Sequence, residues 1–206
     1  SNNEIKRVKS LQQKKFRDES GLFVVEGQKM VDEAMKSSYK IEAVYYRDEI
    51  GEEAMKRITS LSSPSPVLAV VRKPDDTYLS DISVKTGDIS KGGLYLGLDS
   101  IRDPGNLGTI LRIADWFGIN AVFATMDTVD VFNPKVVQAT MGAVFRVKMH
   151  YVDLPDLSRQ ILSCGGNVYG TFLDGRDMYA AELQTGADKP VMVVIGNESE
   201  GISEKM

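Results

Sequence analysis

Residues 94–118 read LYLGLDSIRDPGNLGTILRIADWFG. Leu94 to Leu98 is an apolar run of strand length, and Asp99 to Asn106 gathers turn formers. From Leu107 onward, Leu107, Ile110, Leu111, Ala114 and Phe117 recur with a period near 3.6, which predicts an amphipathic helix that Gly118 stops. Arg112 falls on the opposite face with Gly108 and Asp115, and Thr109, Ile113 and Trp116 make a second edge. Strand, tight turn and helix in this order start a parallel α/β unit.

The remaining segments extend the pattern in both directions. A helix is expected from about Glu4 to Lys15, then a strand at Leu22–Val25 and a helix at Gln28–Lys36. A strand at Ile41–Tyr46, a helix at Glu52–Leu61 and a strand at Val67–Val71 follow. Strands alternating with helices predict a small α/β unit with a mostly parallel sheet. From Arg72 to Gly93 the chain turns polar, with a short strand or turn expected around Ile82–Val84. Residues 1–75 therefore read as one domain, 76–93 as a linker and 94–206 as a second domain. In the second domain, strands are expected at Ala121–Thr125, Val144–Met149, Val168–Phe172 and Val191–Ile195. Asn133-Pro134 and Asp153-Leu154-Pro155 are helix starts, and Met178–Leu183 reads as a short helix. Ligands of parallel sheets bind beyond the carboxyl ends of the strands. That edge collects Asp99–Asn106, Thr125, Thr171 and Gly196–Gly201.

Composition narrows the chemistry. The chain has 206 residues, a net charge of -4, one cysteine and one histidine. Cys164 alone excludes an internal disulfide and suits a reducing cytoplasm. No Cys/His cluster suggests zinc, no metal site is expected, and no run is apolar enough to span a membrane. Lys6, Arg7, Lys9, Lys14, Lys15 and Arg17 form a basic stripe that can meet phosphates locally. Neither a G-x-G-x-x-G after a strand nor a phosphate loop occurs. The turn at Gly196–Gly201 lacks the glycine that a nucleophile elbow needs two residues before Ser199, and His150 has no reason to lie near it.

Residues 99–112, DSIRDPGNLGTILR, with Phe117-Gly118 resemble the first motif of the SpoU family of RNA ribose 2′-O-methyltransferases, of the SPOUT class. Residues 194–202, VIGNESEGI, are similar to that family's second motif, and NPKV at 133–136 and TMGAVFR at 140–146 match the pattern between them. FVVEG at 23–27 and VLAVV at 67–71 resemble the small RNA substrate-binding domain that often precedes it. The resemblance implies an α/β fold with a trefoil knot, S-adenosylmethionine as methyl donor, RNA (rRNA or tRNA) as substrate and a homodimer. It places Arg112, Asn106 and Glu198 at the catalytic centre, and Thr171, Gly196 and Asn197 against the donor. The edge of Ile113 and Trp116 suits a dimer contact. Two departures stand out: SSPSP at 62–66 where a Gln-Gly turn is usual, and Gln138 where a basic residue is common. The chain ends at Met206, before the family's third motif, so an incomplete knot is expected. A non-catalytic RNA-binding protein that keeps the fold is the alternative.

Overall fold

A computed structural model describes residues 1–79, 89, 92–181, 183 and 188–206. They form two compact units. One comprises Ser1–Asp75, Pro104–Arg112 and Asp130–Arg146, and the other Asp76–Asp103, Ile113–Val129 and Val147–Met206. The expected strand at Ile82–Val84 lies outside the described residues.

The first unit holds α1 (Asn2–Ser10), α2 (Lys14–Ser20), β1 (Leu22–Glu26), α3 (Gln28–Lys36), β2 (Ile41–Tyr46), α4 (Arg47–Ile50), α5 (Glu52–Ile58) and β3 (Val67–Arg72). Its sheet has the order β1-β3-β2, with β3 antiparallel to both neighbours, where a mostly parallel sheet was expected. The helical crossover through α3 does join two strands of like direction. It leaves a gap between them, however, and β3 fills it running the other way. Hydrophobic period fixes which face a strand buries, and says nothing of its direction.

All of β1 is buried because both of its faces are covered. Leu22 and Val24 join Ile5, Val8, Leu11, Met55 and Ile58 on one face. On the other, the Phe23 ring lies 4.6 Å from Phe132 and 6.4 Å from Phe145. The single N-terminal helix expected over residues 4–15 is two helices. Arg17 secures the break between them: its Nη1 donates to the carbonyls of Leu11 and Gln12, each at 2.9 Å. Its Nε and Nη2 both donate to Asp130 Oδ2, at 3.1 and 2.7 Å. A buried ion pair carries a desolvation penalty of several kcal/mol per ion, and these four bonds are what offset it. Arg17 is therefore a core residue and leaves the basic stripe. Lys14 and Lys73 also pair with Asp18.

The long helix α6 (Pro104–Trp116) starts three residues earlier than the pattern suggested. Leu107, Leu111 and Ala114 are buried as expected, whereas Phe117 lies past the helix end and is exposed. Gly108, expected on the outer face, is buried. A Cβ there would sit 2.4 Å from Ala139 Cβ and 2.8 Å from its carbonyl carbon, so glycine lets α7 (Pro134–Ala139) approach α6 closely. Asn133 caps α7 by accepting from the Lys135 N–H at 2.9 Å. The strand expected at Val144–Met149 is a 3-10 turn at Ala143–Phe145 followed by a short strand at Met149–Tyr151. Gly142, at φ +99°, sets up that turn, and the apolar residues in it fill the aromatic cluster.

The second unit is built on a five-stranded sheet, all parallel, in the order β6-β5-β4-β8-β7. These strands are β4 (Gly93–Leu98), β5 (Ala121–Ala124), β6 (Met149–Tyr151), β7 (Asn167–Gly170) and β8 (Pro190–Ile195). Helix α8 (Leu154–Ser163) contributes Leu154, Leu157 and Ile161 to a core with Tyr95, Phe123, Met192 and Val194. Edge strand β6 is partly covered, since Thr77–Leu79 bond to it through Tyr151 at 2.7 and 3.0 Å. Pairing of this kind blunts an exposed sheet edge. Residues 178–181 form turns where a short helix was expected. Asp177 holds them by accepting from the N–H groups of Tyr179, Ala180 and Ala181.

Candidate active site

From β4 the chain steps outward to β5 and β6, then returns to β8 and β7 on the other side. The order reverses between β4 and β8, and ligands of such sheets bind outside the carboxyl ends at that point. Two loops leave there, 99–103 after β4 and 196–203 after β8, and they are tied together at three places. Asn197 Nδ2 donates to the Ser100 carbonyl at 2.7 Å. Glu198 accepts the N–H groups of Asp103 and Arg102 at 3.2 and 3.4 Å. Asp99 Oδ2, buried, accepts the Ser203 N–H at 2.7 Å.

The second loop owes its shape to two glycines and one amide. Asn197 and Gly201 exchange backbone bonds of 2.9 and 3.0 Å, closing a five-residue turn. Asn197 Oδ1 accepts from Ser199 and Glu200 inside it. A Cβ on Gly196 would lie 2.2 Å from the Gly201 carbonyl carbon and 2.3 Å from Ile202 N, so no side chain fits there. Gly201 adopts φ +73°, which glycine enters without penalty.

Ser100 is held on every polar group. It has φ +60°, unusual for a residue with a side chain. Its N–H donates to Thr125 Oγ1 at 2.9 Å and its hydroxyl to Asp127 Oδ2 at 2.6 Å, while its carbonyl takes the Asn197 amide. Burial alone would push the Asp127 carboxyl up. Hydroxyl bonds from Ser100 and Thr125, with the charge of Arg102, outweigh that and hold it below the ordinary carboxylate value. The loops after β4, β5 and β6 also frame a cavity of about 500 Å³, lined among others by Asp99, Arg102, Thr125, Asp127, Asp153 and Lys205.

Of the six residues named from the sequence, the second unit gathers Thr171, Gly196, Asn197 and Glu198 at one sheet edge. The Thr171 N–H and hydroxyl both donate to the Val194 carbonyl, at 3.0 and 3.1 Å. Asn197 and Glu198 spend side-chain atoms on the neighbouring loop. Gly196 N–H and C=O have no hydrogen-bond partner among the described residues. A bare, partly accessible backbone pair at a strand end suits a polar ligand that must approach closely. Asn106 and Arg112 lie on the part of α6 that belongs to the first unit, both exposed. Sequence reasoning put Asp99 and Ser100 on this edge without their bonds and missed Asp127; no spacing pattern reveals these contacts. Among the described residues no group of His, Cys, Asp or Glu is arranged to hold a metal ion.

A five-stranded parallel sheet with two interlocked loops at its switch point defines an α/β protein with a ligand site at the carboxyl edge. Residues 93–206 match the SpoU rRNA Methylase family and residues 2–74 the MRM3-like substrate binding domain. The chain belongs to the SpoU rRNA methylase family. It is 28% identical, over 98% of its length and 82% of the other's, to 23S rRNA (guanosine(2553)-2'-O)-methyltransferase RlmP of Bacillus subtilis (strain 168). It is 31% identical to rRNA methyltransferase 3, mitochondrial, of Xenopus tropicalis over 76% of its own length, spanning 41% of that protein. Among solved structures, AdoMet-bound rRNA methyltransferase from Sinorhizobium meliloti superposes with a TM-score of 0.82 at 31% identity, covering 98% of this chain and 80% of that one.

Proposed function

We propose that the protein transfers a methyl group from S-adenosylmethionine to a ribose 2′-hydroxyl of ribosomal RNA. The observation that carries this reading is the clasp of Asn197 and Glu198 on residues 100–103, because it joins the second family motif to the opening of the first at one sheet edge. When bound, the donor supplies an electrophilic methyl on a positively charged sulfur. The ribose oxygen forms the new C–O bond as the S–CH3 bond breaks, and the hydroxyl proton leaves to a base.

Each residue has a role limited by its chemistry. The Gly196 backbone and the end of β7 at Thr171 hold the donor. Asn197 shapes that wall from behind, since its amide is turned inward. Glu198 fixes the Arg102–Asp103 backbone and so acts through the turn. Arg112 stays protonated in water, so it binds the target phosphate and favours negative charge growing on the 2′-oxygen. Asn106 orients the ribose on the same helix. Residues 1–75 supply further RNA contacts, with Lys6, Arg7 and Lys9 as the remaining basic face.

A homodimer completes the proposal. Ile113 and Trp116 on the last turn of α6, and Phe117 just past it, have 48%, 85% and 71% of their surfaces exposed. An exposed tryptophan flanked by apolar side chains is the composition of an interface anchor. Trp116→Glu should convert a dimer into a monomer in sedimentation velocity; an unchanged dimer removes this face from the interface. Ribosomal RNA as substrate and an exposed single thiol point to the cytoplasm.

The decisive experiment incubates the full-length protein with methyl-labelled S-adenosylmethionine and large-subunit rRNA, followed by alkaline hydrolysis. A 2′-O-methyl group blocks cleavage of the adjoining phosphodiester, so label should appear in an alkali-resistant dinucleotide. Label on a base, or RNA binding with no transfer, overturns the proposal.

A further inference from the structure

The first unit contains a second concavity, remote in sequence from the loops described above. It measures about 210 Å³, less than the roughly 300–1,000 Å³ of pockets for drug-sized ligands, and suits one ring system. One wall comes from Gly27–Met30, the other from Gln138 and Met141.

Three features mark it as a built surface. Met141 has φ +50° and a half-exposed side chain. A left-handed backbone is strained for a residue with a side chain and persists only where its surroundings impose it. Thr140 imposes it, by bonding to the Val136 and Val137 carbonyls at 2.9 and 2.7 Å while accepting the Ala143 N–H at 3.0 Å. Next, Lys29 and Gln138, both exposed, have side chains without a hydrogen-bond or ion-pair partner among the described residues. Finally, the position where a Gly27 side chain would project is empty, so the floor is bare backbone.

The nearby acids do not oppose an anionic ligand strongly. Glu26 is buried and its two oxygens accept from Thr59, the Ser60 N–H and the Ser60 hydroxyl. Glu33 pairs with Arg146, and Asp32 accepts from Gln28.

We infer that this concavity binds a single unpaired nucleotide of the RNA substrate. The inference rests on the RNA methyltransferase reading. The half-exposed Met141 thioether offers a polarisable surface to a planar base, with buried Met30 packed behind the wall. The Gln138 amide, both donor and acceptor, reads the base edge, and the Lys29 ammonium meets the adjoining phosphate. Unstacked bases held by edge contacts are how proteins recognise single-stranded RNA. The concavity thus contributes to choosing which RNA is modified, using segments from both sequence halves.

The test measures binding of full-length wild type and three variants to a labelled large-subunit rRNA fragment at several salt concentrations. Lys29→Ala should weaken binding and lower the slope of log K against log salt by about one. Gln138→Ala should weaken it by about threefold to tenfold with the slope unchanged. Met141→Gly relieves the backbone, so its melting temperature should hold or rise while RNA affinity falls about fivefold through lost apolar contact. A merely structural Met141 would gain stability and keep its affinity, which overturns the inference. So does wild-type affinity and salt slope in all three variants, or a change in affinity for S-adenosylmethionine in any of them. If wild type methylates rRNA but the variants bind normally, only this inference fails; if wild type neither binds nor methylates rRNA, the proposed function fails with it.

Discussion

Arg112→Ala should lower the rate of methyl transfer by about 10²–10³-fold while leaving the fold and donor affinity near wild type, the loss typical of one electrostatic stabiliser. The expectation combines what α6 buries and what it exposes. Leu107, Leu111 and Ala114 are the buried side of the helix, and Arg112 lies exposed on another face. Its guanidinium makes no hydrogen bond to described residues, so removing it leaves no buried group unsatisfied. Alanine is also the best helix former, and surface changes of this kind stay within about 0.5 kcal/mol. The loss therefore falls on the reacting 2′-oxygen and its phosphate. Arg112→Lys separates two contributions: it keeps the charge but lacks the planar fork that grips phosphate at two points. Its rate should lie between those of wild type and alanine. Initial rates with labelled donor, donor affinity by calorimetry and a thermal melt make the comparison. Near-normal turnover in Arg112→Ala would remove this residue from the reaction.

The fold was legible where hydrophobic period and capping chemistry agree. Residues 94–116 announce a strand and a helix because Leu94–Leu98 is continuously apolar and Leu107, Leu111 and Ala114 repeat on one face. Asn133-Pro134 gave a helix start that the Asn133 cap explains. What could not be read depends on partners distant in sequence. The direction of β3 follows from the space between β1 and β2, which no local pattern encodes. Gly108 looks like an outer-face residue until Ala139 is brought against it. Arg17 looks like part of a basic stripe until Asp130, more than a hundred residues away, takes its guanidinium. The same holds at the site. Motif residues could be named from their order in the chain, but Glu198 acts on backbone N–H groups, and every residue offers the same backbone to a sequence reader. Ser100 is a further case: its strain and its three bonds are properties of three converging loops.

Gly196→Ala carries the other large effect, and it works through geometry alone. The added methyl adds no charge and no polar group, yet it would stand 2.2 Å from the Gly201 carbonyl carbon and 2.3 Å from Ile202 N. Both are backbone atoms, so neither a rotamer change nor a bending side chain relieves the contact. Overpacking of this kind costs about 1–3 kcal/mol. For a chain of this size that corresponds to a fall of roughly 2–12 °C in melting temperature. The turn at 197–201 must shift outward, and with it the Asn197 amide leaves the Ser100 carbonyl and Glu198 leaves the Arg102 and Asp103 N–H groups. A displacement near 1 Å at a reacting centre can cost about 100-fold in rate, so transfer should fall by at least that factor. Donor affinity should fall alongside it, because the bare Gly196 backbone is the proposed donor contact. Gly201→Ala is the control. Its Cβ meets nothing within 4 Å, and its penalty is the left-handed φ of +73°, about 1–2 kcal/mol. The control should therefore lose stability comparable to Gly196→Ala but retain most donor binding. Calorimetric titration with S-adenosylmethionine distinguishes the two. Wild-type donor affinity in Gly196→Ala would mean that the donor lies elsewhere on the carboxyl edge.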